Sequence, residues 1–118
     1  MKKQNVVAAL AALAQDNRLD VFRLLVQTGP EGMSAGNVAS ALRLAPNTLT
    51  FHFDRLREAG LVTVRRDGRS MIYAARFDTM NALLGYLTEN CCQGQSDQCK
   101  PVECKAPLSS VSRPKERV

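Results

Sequence analysis

The most restrictive feature of this chain is a helical pattern that opens at Pro46, ends at Gly60 and has two distinct faces. Proline suits the first position of a helix, and glycine suits the residue that follows one. Leu49, Phe53 and Leu56 are spaced by four and three residues, so they should point together into a core. The outer face carries hydrogen-bonding side chains with an aromatic ring at its edge, namely Asn47, Thr48, Thr50, Phe51, His52 and Arg55. The pattern predicts a helix that packs by one face and offers the other for recognition.

A shorter helix is predicted just before this one. Ser34 is a good N-cap for it, and Val38, Ala41 and Leu42 should turn inward. Only residues 43–45 then separate the two helices. Two helices joined by such a short turn, the second with a polar outer face, form the helix-turn-helix arrangement, which places its second helix in the major groove of DNA.

Two strand-like runs, residues 62–66 and 69–73, follow the recognition-type helix and are joined by Asp67-Gly68. This dipeptide is a signal for a two-residue type I′ hairpin, which would pair Val64 with Met71. The arginines that flank the tip are Arg66 and Arg69. A hairpin of this kind, directly after a recognition helix, predicts a winged helix whose wing reaches phosphates or the minor groove.

The remaining helices frame these elements. An alanine-rich helix is expected over residues 6–14, and Asn17 should cap a second helix whose buried stripe includes Leu19. The last helix should run from Phe77 to about Cys92, with an apolar stripe formed by Phe77, Met80, Leu84, Leu87 and Cys91. We therefore expect one domain over residues 1–92, mainly α-helical with a β-hairpin wing. Residues 93–118, rich in proline, serine and charge, should form a flexible tail.

The charge distribution favours a nucleic-acid partner. The 118 residues include sixteen basic and eleven acidic side chains, and six of the arginines fall between positions 51 and 76. Clustered arginine suggests phosphate contact, although a solvated basic face would look the same. No run approaches the length of a membrane span, and no leader segment is apparent. A cytoplasmic protein with reduced thiols is expected.

All four cysteines lie in the last third of the chain, at Cys91, Cys92, Cys99 and Cys104. Thiolates are soft ligands, so the cluster is a candidate site for a thiophilic ion. Zinc would usually require a Cys-x-x-Cys knuckle, and that spacing is missing. The alternatives are a redox or persulfide switch, and thiols that are incidental to function.

The order of helices, turn and wing resembles the ArsR/SmtB family of metal-responsive repressors. Three segments carry the likeness, residues 13–19, 46–62 and 66–73, and together they cover roughly residues 5 to 92. The resemblance implies a homodimer joined through its first and last helices. Such a dimer would bind double-stranded DNA and repress transcription until an inducer binds.

Two metal sites of that family are missing from this sequence. Residues 34–38 contain no thiol, and Asp78 has no histidine partner on the last helix. Residues 88–92 are instead similar to the arsenite-responsive members, which bind arsenic through thiols at the end of that helix. The resemblance therefore implies a repressor of an arsenic resistance operon, induced by arsenite, with antimonite and methylarsenite as alternative inducers.

Trivalent arsenic prefers three sulfur ligands in a pyramid. Cys91 and Cys92 would supply two, and either Cys99 or Cys104 the third, a choice that the sequence leaves open. Cadmium, zinc or lead could bind the same thiols.

Two other classes of function compete with a repressor. A thiol enzyme, such as an arsenate reductase, would need a nucleophilic cysteine in an anion-binding loop before a helix, and no cysteine is so placed. We therefore expect no enzymatic activity. A winged-helix domain used for protein contacts, with the tail as a metal store, is the other competitor.

Overall fold

The computed structural model describes residues 1–94, and the elements below belong to that part of the chain. It contains helices α1 (Lys3–Leu13), α2 (Asp16–Thr28), α3 (Ala35–Leu42), α4 (Pro46–Glu58) and α5 (Phe77–Leu87), strands β1 (Met33–Ser34), β2 (Val62–Asp67) and β3 (Ser70–Ala75), and a 3-10 turn (Cys91–Gly94). This is the predicted winged helix-turn-helix, with one strand more than the sequence indicated. None of the described helices is long and apolar enough to cross a membrane.

The start of α2 differs from its prediction. Gln15, rather than Asn17, is the N-cap, and its Oε1 accepts a hydrogen bond from the Arg18 backbone N–H at 3.0 Å. The buried stripe is also rotated, because Val21 is fully buried while Leu19 is 43% exposed. Leu19 is therefore an apolar side chain on the surface of this chain and not part of its core.

The helix-turn-helix forms as predicted, except that Ala41 is exposed and does not turn inward. Ser34 caps α3, since its hydroxyl oxygen accepts a hydrogen bond from the Asn37 N–H at 3.2 Å. Three residues join α3 to α4, and the first of them, Arg43, adopts a left-handed φ of 56°. At the other end of α4, Leu61 N–H donates to the Leu56 carbonyl and Gly60 N–H to the Arg57 carbonyl. This is a Schellman motif with Gly60 in the left-handed position, so the helix stops where the sequence predicted.

The sheet has the order β1-β3-β2 and is antiparallel throughout. The predicted hairpin register was wrong: Val64 pairs with Tyr73, and Asp67 pairs with Ser70. The two central turn residues are therefore Gly68 and Arg69, and of these only Gly68 has a positive φ, 63°. Glycine in the first central position is the pattern of a type II′ turn rather than type I′.

The core lies where α4 meets the other helices and the sheet. The predicted inner face of α4 is confirmed, because Leu49, Phe53 and Leu56 are all buried. The Phe53 ring stacks on the Tyr73 ring with centroids 3.6 Å apart, which joins α4 to the centre of β3. The recognition helix is thus held by the helical core on one side and by the wing on the other.

The last helix is shorter than predicted. It ends at Leu87, so Cys91 lies on the following 3-10 turn and not in the helical stripe. Leu83 is the buried residue of α5, while Leu84 and Leu87 are exposed. The helix therefore presents an apolar side away from its own core.

Candidate nucleic-acid interface and thiol pair

The outer face of α4 brings together five of the six side chains that the sequence assigned to recognition: Asn47, Thr48, Thr50, Phe51 and Arg55, all of which are exposed. Thr50 donates its hydroxyl proton to the Pro46 carbonyl at 3.0 Å, so its oxygen is left as an acceptor. The N-cap of α4 is Ala45, which offers no side-chain oxygen to the first-turn N–H groups. A face with donors, acceptors and uncapped N–H groups suits base edges and phosphates.

Phe51 and Arg55 form a pair on this face. The Phe51 ring is 51% exposed, and the Arg55 guanidinium carbon lies 5.0 Å from its centroid. The guanidinium also contacts Glu58 at 3.2 Å in an exposed ion pair. An exposed pair of this kind contributes little to stability, so Arg55 can exchange Glu58 for a phosphate. The exposed part of the ring can meet an apolar group such as a thymine methyl.

His52 does not lie on the outer face, and that prediction was wrong. It is 5% exposed, and its Nδ1 lies 3.4 Å from a terminal nitrogen of Arg18 on α2. The residue lies three positions after Leu49 and directly before Phe53, so the edge of the buried face includes it. Burial, together with the nearby Arg18 charge, lowers the pKa of His52 from its usual range.

The three arginines of the wing make different hydrogen-bond contacts. Arg69 is exposed in the turn, and Arg66 donates from Nε to the Gly68 carbonyl at 3.3 Å. Arg65 instead folds back, donating to the Glu31 carbonyl at 3.0 Å. Arg66 and Arg69 are both exposed beside the wing tip, where the sequence placed them.

Two basic residues near α4 were missed by sequence reasoning. Arg43 is exposed in the turn that precedes α4. Its position between the two predicted helices is the sequence signal that could have identified it. Arg18 lies 34 positions before His52, and nothing local in the sequence indicates that they meet.

The described thiols form a close pair. Cys91 Sγ lies 3.3 Å from Cys92 Sγ, and both side chains are half-buried. Cys92 has a left-handed φ of 56°, and Cys91 N–H donates to the Thr88 carbonyl at 2.9 Å. Cys99 and Cys104 lie outside the described residues. Within residues 1–94, no group of three or more histidine, cysteine, aspartate or glutamate side chains is placed to hold a metal ion.

Comparison with known proteins agrees with this geometry. Residues 13–65 match a family described as a helix-turn-helix domain. The uncharacterised HTH-type transcriptional regulator YceK of Bacillus subtilis is 38% identical over 77 residues, which cover 64% of this chain and 76% of YceK. The chain belongs to the helix-turn-helix transcriptional regulators. Both the family and the fold are those of DNA-binding regulators and not of enzymes.

Solved structures share the fold of this regulator. HlyU from Vibrio cholerae is 28% identical, with a TM-score of 0.61 over 79% of this chain and 100% of HlyU. Mb0332 from Mycobacterium bovis, described as a homodimeric winged helix-turn-helix domain and a possible ArsR-family regulator, shares the fold with a TM-score of 0.61. It is 22% identical and covers 85% of this chain and 89% of the Mb0332 chain. These likenesses show the winged helix-turn-helix fold that the sequence predicted.

Proposed function

We propose that this regulator is a homodimeric repressor of an arsenic resistance operon, and that it leaves its operator when trivalent arsenic binds its C-terminal thiolates. The observation that carries the proposal is the close thiol pair, Cys91 and Cys92, just beyond the end of α5. Its DNA-binding, dimeric and sensing parts are supported by different residues.

For DNA binding, α4 lies in the major groove and the wing lies beside it. Asn47 and Thr48 face base edges near the start of the helix, and Phe51 meets a thymine methyl. Arg55 on the helix and Arg69 on the wing contact phosphates on either side, with Arg66 behind the wing tip. Each phosphate contact adds salt dependence to the affinity.

The homodimer is formed by α1 and α5. Both helices expose apolar side chains that their own core does not cover: Val7, Leu10, Leu84 and Leu87. The homodimeric description of Mb0332, which shares this fold, supports the same assembly here. A symmetric dimer sets the distance between its two recognition helices, and that distance must match two half-sites on the duplex.

The two sulfur atoms are close enough to bind one ion. Thiolates about 2.3 Å from a metal lie roughly 3.8 Å apart at a tetrahedral angle and roughly 3.3 Å apart at a right angle. Small side-chain rotations take the metal-free pair, 3.3 Å apart, to either spacing, so the pair supports a shared thiophilic ion. Trivalent arsenic is preferred because it takes three sulfur ligands in a pyramid and needs no fourth. Cys99 or Cys104 supplies the third sulfur.

Release follows from the position of the thiol pair. The pair follows α5 by only a few residues, so drawing it and a tail cysteine onto one ion pulls on a dimer-forming helix. A changed α5 alters the distance between the two recognition helices. A coupling of about 1–3 kcal/mol would weaken operator binding roughly 5–150-fold, which is enough to release a repressor.

The test is fluorescence anisotropy with the DNA upstream of the regulator's own gene, titrated with and without arsenite. Wild-type protein should lose operator affinity at least about fivefold in arsenite. Cys91→Ser and Cys92→Ser should bind DNA normally and fail to respond. Cys99→Ser and Cys104→Ser are the matched controls, because only the one that removes the third ligand should lose the response. Normal release of both Cys91→Ser and Cys92→Ser by arsenite would refute the proposed site.

A thiol redox switch is the second candidate, and the 3.3 Å separation of the two sulfur atoms also favours it. A V. cholerae HlyU structure of the same fold is described as the reduced protein, so the redox state was considered relevant for that relative. Hydrogen peroxide followed by dithiothreitol separates the two functions. Reversible loss of DNA binding under peroxide, with no effect of arsenite, would favour the redox switch. Cadmium, zinc and lead in the same titration test the other thiophilic ions.

A further inference from the structure

The side chain of Arg18 joins three helices. Its Nε donates to the Ala12 carbonyl at the end of α1 at 2.6 Å, and one terminal nitrogen lies 3.4 Å from His52 Nδ1 on α4. Its own backbone N–H, at the start of α2, donates to the N-cap Gln15. One guanidinium therefore links the proposed dimer helix to the recognition helix.

The hydrogen bond to Arg18 requires one protonation state and one tautomer of His52. A guanidinium has only donors, so Nδ1 can take part only as an acceptor, in the neutral tautomer that carries its proton on Nε2. At the other end, the Ala12 carbonyl is one of the last four of α1, which have no partner within that helix. No basic residue lies in the last turn of α1, so Arg18 supplies both the missing hydrogen bond and the favourable charge.

We propose that Arg18 and His52 are positioning residues, which hold the recognition helix at a fixed angle to α1, and that protonation of His52 opens this link and weakens operator binding. The inference rests on the DNA-binding role of α4 and the dimer role of α1. It does not rest on arsenic. An imidazolium has no acceptor for Arg18 and would bring a second positive charge against it.

The other groups around His52 leave Arg18 as its charged partner. On α4 itself, Arg55 and Glu58 line a cleft together with Arg18 and are paired with each other at 3.2 Å. From α1 the cleft is lined by alanines, and the Phe51 ring stands edge-on to the imidazole with centroids 5.8 Å apart. Burial and the Arg18 charge both lower the pKa of His52, so the link is closed at neutral pH.

Two substitutions at position 52 test the link in the full-length protein, with reducing agent and without arsenite. His52→Asn places an amide oxygen where Nδ1 lies, so it keeps the acceptor and cannot be protonated. His52→Leu fills the buried space with no acceptor. Affinity for the operator and for random-sequence DNA is measured by anisotropy from pH 8 down to about pH 5, so that the series extends below the ordinary pKa of histidine. Thermal unfolding is followed for each protein over the same range.

At pH 7.5, His52→Asn should bind the operator like wild type. His52→Leu should bind it about fivefold more weakly while its affinity for random DNA is unchanged. As the pH falls through the lowered pKa of His52, wild type should lose operator affinity relative to His52→Asn, because only wild type can protonate the link.

Equal pH profiles for wild type and His52→Asn would overturn the proposal, whether or not His52→Leu folds. Operator selectivity that is unchanged in a folded His52→Leu would overturn it as well. Because no inducer is present, neither result depends on whether the thiols sense arsenic.

Discussion

Gly32 occupies a position that has no room for a side chain. Its φ is +80°, and a Cβ atom built on it would lie 2.5 Å from the Tyr73 carbonyl oxygen. The left-handed conformation alone costs a non-glycine residue about 1–3 kcal/mol. The carbonyl belongs to β3, so the contact cannot be relieved by rotating a side chain. This glycine is what allows the loop after α2 to reach β3.

We therefore expect Gly32→Ala to lower the melting temperature by about 10 °C or more, since 1 kcal/mol shifts a domain of this size by about 4–8 °C. The matched control is Gly36→Ala in α3, where nothing lies within 4 Å of the added Cβ. That change should stabilise the helix by about 0.5–1 kcal/mol. Circular dichroism melts of the three proteins measure both effects. Similar melting temperatures for Gly32→Ala and wild type would show that the loop can move away from β3.

Among single residues of the site, the sequence correctly predicted the burial or exposure of those whose placement depends on helical spacing alone. Leu49 and Phe53 are buried and Thr48 is exposed, as a period of 3.6 residues requires. His52 lies on the boundary between these two faces, where spacing does not decide and a polar residue is normally assigned outward. Its ring nitrogen contacts Arg18, which comes from another helix. Such a partner is fixed by the packing of α2 on α4 and leaves no trace in the local pattern.

At the level of elements, the wing shows what a turn signal can and cannot predict. Alternation predicted both strands and placed Val64 and Tyr73 on one face, as observed. The register was wrong because a type I′ turn over Asp67-Gly68 needs a positive φ at both residues. The chain instead uses the glycine alone, in the first central position of the turn. Relative to the prediction, the turn is shifted by one residue, so each residue of β2 pairs with a β3 residue two positions further on. A shift of two leaves every side chain on its predicted face of the sheet.

The end of α5 was predicted from apolar spacing that continues past the helix itself. Leu87 and Cys91 remain four residues apart, but Thr88 already has a non-helical ψ of 7°. The Leu84 carbonyl accepts both the Thr88 backbone N–H at 3.1 Å and the Thr88 hydroxyl at 2.8 Å, which closes the last turn at this residue. The left-handed residues Asn90 and Cys92 then prevent the helix from resuming. Apolar spacing gives no sign of such an ending.

The wing also yields a prediction for salt dependence. Arg69→Ala should weaken binding to operator and random DNA alike, and reduce the slope of log affinity against log salt by about one. Arg65→Ala is the control on the same hairpin, because its guanidinium is bonded to the Glu31 carbonyl. It should leave the slope unchanged. Anisotropy titrations between about 50 and 200 mM salt measure both slopes. An equal loss of slope in the two variants would mean that Arg65 leaves Glu31 to contact DNA.

At the scale of the whole molecule, the exposed apolar side chains are unevenly distributed. Val7 on α1 is 58% exposed and Leu87 on α5 is 55% exposed, on the two helices that the family resemblance assigns to the dimer. The wing has one large exposed apolar residue, Met71. The recognition helix lies between these two regions and packs against both α1 and the sheet. A change in how α1 and α5 meet their partners can therefore reach α4 through packed elements.

Leu87→Glu tests this arrangement directly. Burying one leucine contributes about 1.5–3 kcal/mol. A two-fold symmetric dimer contains the substitution in both subunits, so the free energy of dimerisation should become less favourable by about 3–6 kcal/mol. The dissociation constant of the dimer should then rise by roughly 10²–10⁴, which sedimentation velocity at micromolar protein would show as a shift to monomer. Operator affinity should fall with it, because one recognition helix can contact only one half-site.

Met71→Glu introduces the same charge at an exposed apolar residue of the wing and should leave the protein dimeric. If Leu87→Glu instead sediments like wild type, α5 does not form the dimer. The proposed path from the thiols to DNA would then have to run within one protomer, from the 3-10 turn through α5 to α4. The proposed coupling between arsenite binding and operator binding would still be possible. It would need a structural cause other than a change in the distance between the two recognition helices.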